Sequence, residues 1–146
     1  MSRGLSPSDL LENLWKALPE EELNTFDIET EEATFQPRRI QSQKEKEQRE
    51  FLRNRRLQKD RLITHLKAGG RTEDAIWCIE EVNQDGHSRY IVIEGHMRLQ
   101  CYRHVGLKTI PCRVYRGPYA RERARRVVGF INNRGGRLPL LKDQTF

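Results

Sequence analysis

Twenty-six residues, Tyr90 to Tyr115, constrain this chain more than any others: YIVIEGHMRLQCYRHVGLKTIPCRVY. Tyr90-Ile91-Val92-Ile93 is a short apolar, β-branched run, the pattern of a buried strand. Glu94-Gly95 interrupts it, and Gly95 can take backbone angles that other residues resist. From His96 to His104, Met97, Cys101 and Val105 recur at helical spacing with Leu99 and Tyr102 beside them, which predicts a helix. Gly106 stands where a C-capping glycine belongs, and Arg103 and His104 in the last turn suit the helix dipole. Thr109 to Tyr115 reads as a second strand, and Pro111 argues that it starts there or lies at a sheet edge.

The order strand, glycine turn, helix has a chemical consequence. A glycine turn feeding a helix N-terminus leaves backbone N–H groups unpaired and pointing outward, and these with the dipole favour an anion, most often phosphate. Gly95-His96-Met97-Arg98 puts an arginine one turn inside such a site, where its fork can hold two phosphate oxygens. The plainer alternative is that Gly95 only permits a turn and Arg98 is a solvated helix residue.

These residues resemble the core of the ParB/sulfiredoxin superfamily. The G-x-x-R turn at Gly95 to Arg98, the helix ending in Val105-Gly106-Leu107, and Ile110-Pro111-Cys112-Arg113-Val114 match in order and spacing. Gln36-Pro37-Arg38 is similar to the Q-P-R box that opens the ParB N-terminal domain, and Asn132 to Leu140 to the segment that follows the third family helix. The resemblance spans roughly Gln36 to Leu140. It implies an α/β (α+β) fold, a small mixed sheet with flanking helices. It also implies a bacterial, cytoplasmic, nucleoid- or plasmid-associated protein of plasmid or mobile-element type. In ParB-type partition proteins a helix-turn-helix domain would continue past this point; the sequence stops at Phe146.

The resemblance also carries site residues. Nucleotide phosphates (CTP or ATP, with Mg2+) would lie on Gly95, His96, Met97 and Arg98, with Asn132, Asn133 and Arg134 closing over them and Gln36 and Arg38 contributing from the Q-P-R box. Sulfinic acid reduction is not expected, because the nucleophilic cysteine of the sulfiredoxin G-C-H-R motif is replaced by His96. Asn132 stands where the glutamate of E-N-x-x-R is usual, so Glu94 is the carboxylate left near the core motif for a metal. Glu94 and His96 are the candidates for catalysis, with His96 able to do acid–base or phosphate-orienting work. Three functions stay open: a nucleotide-binding, DNA-associated protein; an ATP- or metal-dependent DNase interfering with DNA transfer; and an interaction module with a dead pocket.

Charge adds a second argument. The chain carries a net charge of +6, unevenly spread. Residues 1–35 hold two basic against nine acidic groups, −7, so the remainder carries +13. This divides the chain into an acidic N-terminal arm, 1–35, and a basic body, 36–146, suited to polyanions. In the arm, Ser6-Pro7-Ser8-Asp9 starts a helix whose stripe is Leu10, Leu11, Leu14, Trp15 and Leu18, ending near Pro19. That stripe either packs on its own domain or takes a partner or a second copy. The acidic run from Glu20 to Glu32 reads as a solvated linker, or as a polyanion that shields the basic body.

Within the body, Ile40 to Leu66 lacks proline and glycine and predicts a long helix with an excess of arginine. Arg49, Arg53 and Arg56 share one face, which favours binding to DNA backbone over a merely solvated, salt-bridged helix. Ala75 to Val82 predicts a strand, followed by an Asp-Gly hairpin turn in which His87 is exposed. After Gly117-Pro118 a last helix buries Ala124, Val127, Val128 and Ile131. Its arginines, Arg121, Arg125 and Arg126 among them, form a second candidate DNA surface hard to explain by packing alone. The cysteines Cys78, Cys101 and Cys112 lack metal-ligand spacing and suggest buried, reduced thiols in an intracellular compartment. No apolar run is long enough to cross a membrane, and no signal-peptide pattern is present.

Overall fold

A computed structural model describes residues 7–31, 34–35, 44–70 and 74–133. The helices are α1 (Pro7–Lys16), α2 (Glu45–Lys67), α3 (His96–Val105) and α4 (Ala120–Asn133). The strands are β1 (Glu21–Asn24), β2 (Ile28–Glu29), β3 (Ile76–Val82), β4 (Ser88–Glu94) and β5 (Thr109–Tyr115). They form one five-stranded mixed sheet in the order β1-β5-β3-β4-β2. β3 pairs antiparallel with β4 and parallel with β5, while β1 runs antiparallel to β5 and β2 parallel to β4. This is an α+β architecture with helices on both faces.

Alternation along the strands sorts the two cores. Ile76 and Cys78 of β3, Val92 of β4, and Ile110, Cys112 and Val114 of β5 face α2 and α3, meeting Leu62, Leu66, Leu99, Cys101 and Tyr102. Ile79, Ile91, Ile93 and Tyr115 face α1 and α4, meeting Trp15, Phe35, Ala124, Val127 and Val128. Because both faces are covered, the central strands read in sequence as nearly continuous apolar runs. All three cysteines are buried free thiols, as expected.

The N-terminal segment departs from expectation. Glu20 to Glu31 is not a solvated linker: β1 and β2 within it are the two edges of the sheet, which draws strands from both sides of residue 35. Thr25, between them, accepts no solvent; its Oγ1 donates to the Leu107 carbonyl at 2.7 Å and its N–H to Lys108 at 2.8 Å. Arg103 of α3 reaches back to the Ile28 carbonyl and Arg113 of β5 to the Leu18 carbonyl. β5 is therefore not an edge. Pro111 is accommodated because β3 pairing begins only at Cys112, opposite Ile76, so Pro111 is asked for no N–H on that side.

α1 lies on its own domain. Trp15 is fully buried, stacks on Trp77 at 6.1 Å, sits 5.2 Å from Tyr115, and donates its indole N–H to the Cys78 carbonyl at 3.0 Å. Leu11, Leu14 and Leu18 pack beside it. The stripe expected as a possible partner-binding helix is thus mostly spent on the chain's own core, with Leu10 left outside.

Candidate functional site

Gly95 links β4 to α3 with φ +105°, a left-handed conformation that side chains other than glycine rarely adopt. Gly95 brings no side chain to cap the helix, so the turn itself leads straight into the first N–H groups of α3. The helix closes as predicted: Gly106, φ +87°, takes the C-cap position.

Arg98 is not a solvated helix residue. It is buried, 7% exposed, and its guanidinium folds back over the turn. A Cβ placed on Gly95 would meet Arg98 Nη2 at 3.3 Å and Ile76 Cγ1 at 3.1 Å, tight contacts that add to the φ in favouring glycine. Nη1 donates to the Asp74 carbonyl at 2.6 Å. The Asp74 contact was invisible in sequence, since a main-chain carbonyl 24 residues away carries no residue-type signal.

His96, the first residue of α3, is buried, Met97 is half-buried, and Glu94 is half-buried at the end of β4, paired with Trp77. The turn thus brings Glu94, Gly95, His96, Met97 and Arg98 together. Asn132 and Asn133 end α4. Gln36, Arg38 and Arg134 lie outside the described residues. Among the described residues no group of three or more His, Cys, Asp or Glu lies together to hold a metal.

The basic surfaces separate into two kinds. Arg49, Arg53 and Arg56 are exposed along α2, and Arg125 and Arg126 along α4. Arg121 is different. Its Nε and Nη2 donate to Glu81 at 2.8 and 2.7 Å, and its Nη1 and Nη2 to Glu31 at 2.7 and 3.1 Å. Its guanidinium also lies 5.6 Å from the Phe35 ring centre. Glu31 and Glu81 are shared with Arg89. Arg116 forks onto Glu21 at 2.7 Å and reaches Glu80 at 3.0 Å, and Arg123 donates to the Tyr115 hydroxyl at 3.0 Å. The arginines of this region are therefore explained in large part by pairing, and Arg121 in particular is not presented to a phosphate backbone. These hydrogen bonds hold the Glu21 and Glu31 carboxyls below the ordinary range, through Arg116 and Arg121 respectively, and raise both guanidiniums.

The α+β fold is like that of a ParB protein among solved structures. Among solved structures it is similar to the C-terminally truncated chromosome-partitioning protein ParB from Caulobacter crescentus complexed with CTP-gamma-S. The TM-score is 0.52 with 17% identity, over 82% of this chain and 56% of that one. It is also similar to sulfiredoxin from Arabidopsis thaliana, with TM-score 0.43 and 19% identity over 68% of this chain and 86% of that one. This chain spans 56% of the length of the ParB chain it matches. No protein-family model and no curated protein sequence matches it. Among the described residues no helix is long and apolar enough to cross a membrane.

Proposed function

We propose that this chain is a nucleotide-binding, nucleic-acid-associated protein of plasmid or mobile-element type, working in the bacterial cytoplasm. Nucleotide phosphates bind at the Gly95 to Arg98 turn, and DNA backbone binds along the exposed arginines of α2, with Arg125 and Arg126 of α4, across the sheet from α2, as a second basic surface. One observation carries the nucleotide reading: the Arg98 guanidinium is buried against Gly95 at a helix N-terminus, held there by the Asp74 carbonyl. A buried guanidinium at a helix N-terminus attracts an anion, and a phosphate meets its fork through short, charge-assisted hydrogen bonds. The helix dipole and the first-turn N–H groups add to the same attraction. The ParB neighbour was crystallised with CTP-gamma-S, which makes a cytidine nucleotide the first one to try.

Mg2+ would arrive on the triphosphate, where it neutralises phosphate charge, and Glu94 is the carboxylate that precedes the turn. Asn132, Asn133 and Arg134 are proposed to close the site, and Gln36 and Arg38 to line it. His96 is proposed to orient a phosphate oxygen. Binding, rather than turnover, is what these residues support.

The test is calorimetry of CTP, ATP and GTP with Mg2+ on wild type, Arg98→Ala and Arg98→Lys, with a plasmid-nicking assay on the same samples. One nucleotide should bind, and Arg98→Ala should weaken it at least about tenfold. Arg98→Lys keeps the charge but loses the fork, and should recover only part of the affinity. Circular dichroism identifies a variant that has simply failed to fold. Failure of all three nucleotides to bind wild type would end the nucleotide reading, and nicking that vanishes with chelator and with His96→Ala would replace it by a nuclease.

A further inference from the structure

Tyr119 breaks two local rules at once. Its φ is +56°, in the left-handed region where a bulky side chain is an outlier. It also stands immediately before α4, its carbonyl accepting the Arg123 N–H at 2.9 Å, a capping place that favours Ser, Thr, Asp or Asn. Packing does not explain either choice, because Tyr119 is 69% exposed and among the described residues its ring stacks on nothing.

The backbone that imposes this conformation is pinned from below. The Tyr115 hydroxyl donates to the Pro118 carbonyl at 2.9 Å and accepts from Arg123 Nη1 at 3.0 Å. Gly117 lies so close to Tyr115 that an added Cβ would fall 2.4 Å from its hydroxyl. Such a loop holds whatever residue is at 119 out into solvent. Glycine or asparagine would sit there with less strain, so an exposed tyrosine points to a use for the ring.

Positive charge lies beside the ring. Tyr119, Arg123, Arg126 and Phe130 fall at helical intervals of four, three and four, a stripe about 16 Å long. Arg123 is turned back onto Tyr115, whereas Arg126, Arg125 on the adjoining row, and Phe130 at the far end are exposed. The acidic residue of α4 itself is Glu122, in its first turn. Aromatic faces interleaved with arginines match unpaired bases and the phosphates between them; in a duplex the bases are already stacked and present no free face.

We propose that this side of α4 binds single-stranded nucleic acid, with one base stacked on Tyr119, another on Phe130, and the intervening phosphates on Arg125 and Arg126. The inference goes beyond backbone binding on α2 and does not depend on the nucleotide turn.

The test uses the full chain and a fluorescein-labelled oligothymidylate of about twelve nucleotides, read by anisotropy, with a duplex of equal length alongside. Tyr119→Asn should weaken single-strand binding about tenfold while leaving the melting temperature unchanged or raising it by about 3 °C, because the backbone strain is relieved. Tyr119→Phe keeps the π-face and should bind as wild type. Those opposite movements of affinity and stability separate a binding role from a structural one. Wild type that does not bind the single strand, Tyr119→Asn that binds as tightly as wild type, or a melting temperature that falls in step with affinity would each overturn the proposal. An Arg49, Arg53, Arg56→Gln variant tests α2 independently: if it leaves duplex affinity intact while Tyr119→Asn still loses the single strand, the α2 reading falls and this one stands.

Discussion

Replacing Arg121 by methionine tests whether α4 is basic for the sake of DNA or for the sake of the fold. The side chain makes four charge-assisted hydrogen bonds, two to Glu31 and two to Glu81. Side-chain exposure is 30% for Arg121, 21% for Glu31 and 29% for Glu81, so the clamp is neither a surface pair nor a buried one. Exposed pairs contribute about 0.2–1 kcal/mol, and breaking a buried pair costs about 3–5 kcal/mol. After allowance for solvent screening, Arg121→Met should cost about 2–3 kcal/mol. With an unfolding entropy of about 0.3 kcal/mol per degree for a chain this size, the melting temperature falls by about 7–10 °C.

The pH dependence has a fixed sign. Glu31 titrates below the ordinary glutamate value because Arg121 hydrogen-bonds its charged form. A depressed carboxylate stabilises the fold above its unfolded value, about pH 4.3, and that contribution is lost as pH falls through the lower folded value. Melting curves of wild type and Arg121→Met, followed by circular dichroism from pH 7 to pH 3, should therefore converge on the acid side. Nucleic-acid affinity should change far less than in Arg126→Gln. A melting temperature equal to wild type at pH 7, a gap that persists at pH 3, or a loss of DNA binding matching that of Arg126→Gln would refute the reasoning.

Two further outcomes follow from the geometry. Trp15→Ala removes a fully buried ring and leaves the Cys78 carbonyl without its donor, so it should cost about 3–5 kcal/mol in chemical denaturation, whereas Leu10→Asp, at an exposed position, should cost little. A fall of similar size for Leu10→Asp would mean that the outer side of α1 is also covered. The Arg49, Arg53, Arg56→Gln variant should lower the slope of log affinity for duplex DNA against log salt by about 2.7, since each backbone contact contributes about 0.9. An unchanged slope would show that α2 does not lie on phosphate.

Much of the fold was legible because local rules and global structure agree around Gly95. The apolar run of β4, the left-handed glycine, the α3 spacing and the Gly106 cap are short-range signals, and the structure has each of them. The acidic segment was not legible. Glu21, Glu29 and Glu31 look like a solvated run until Arg116, Arg89 and Arg121 are brought against them from 58 to 95 residues away. Pro111 misled for a related reason: whether a proline marks an edge depends on where the neighbouring strand begins. Tyr119 is ordinary in sequence, and only its backbone angle and exposure single it out.

The sequence by itself therefore determined the elements whose cause is local: where the chain must turn, where α3 starts and stops, which apolar runs become central strands, and where positive charge accumulates. The tertiary structure alone decided which of those charges are spent. Pairing between residues far apart in sequence is set by which strand ends meet, and a guanidinium neutralised by two glutamates is indistinguishable in the sequence from one left facing solvent. That is why Arg121 belongs to the fold, Arg98 to the turn, and Arg49, Arg53, Arg56, Arg125 and Arg126 to the surface.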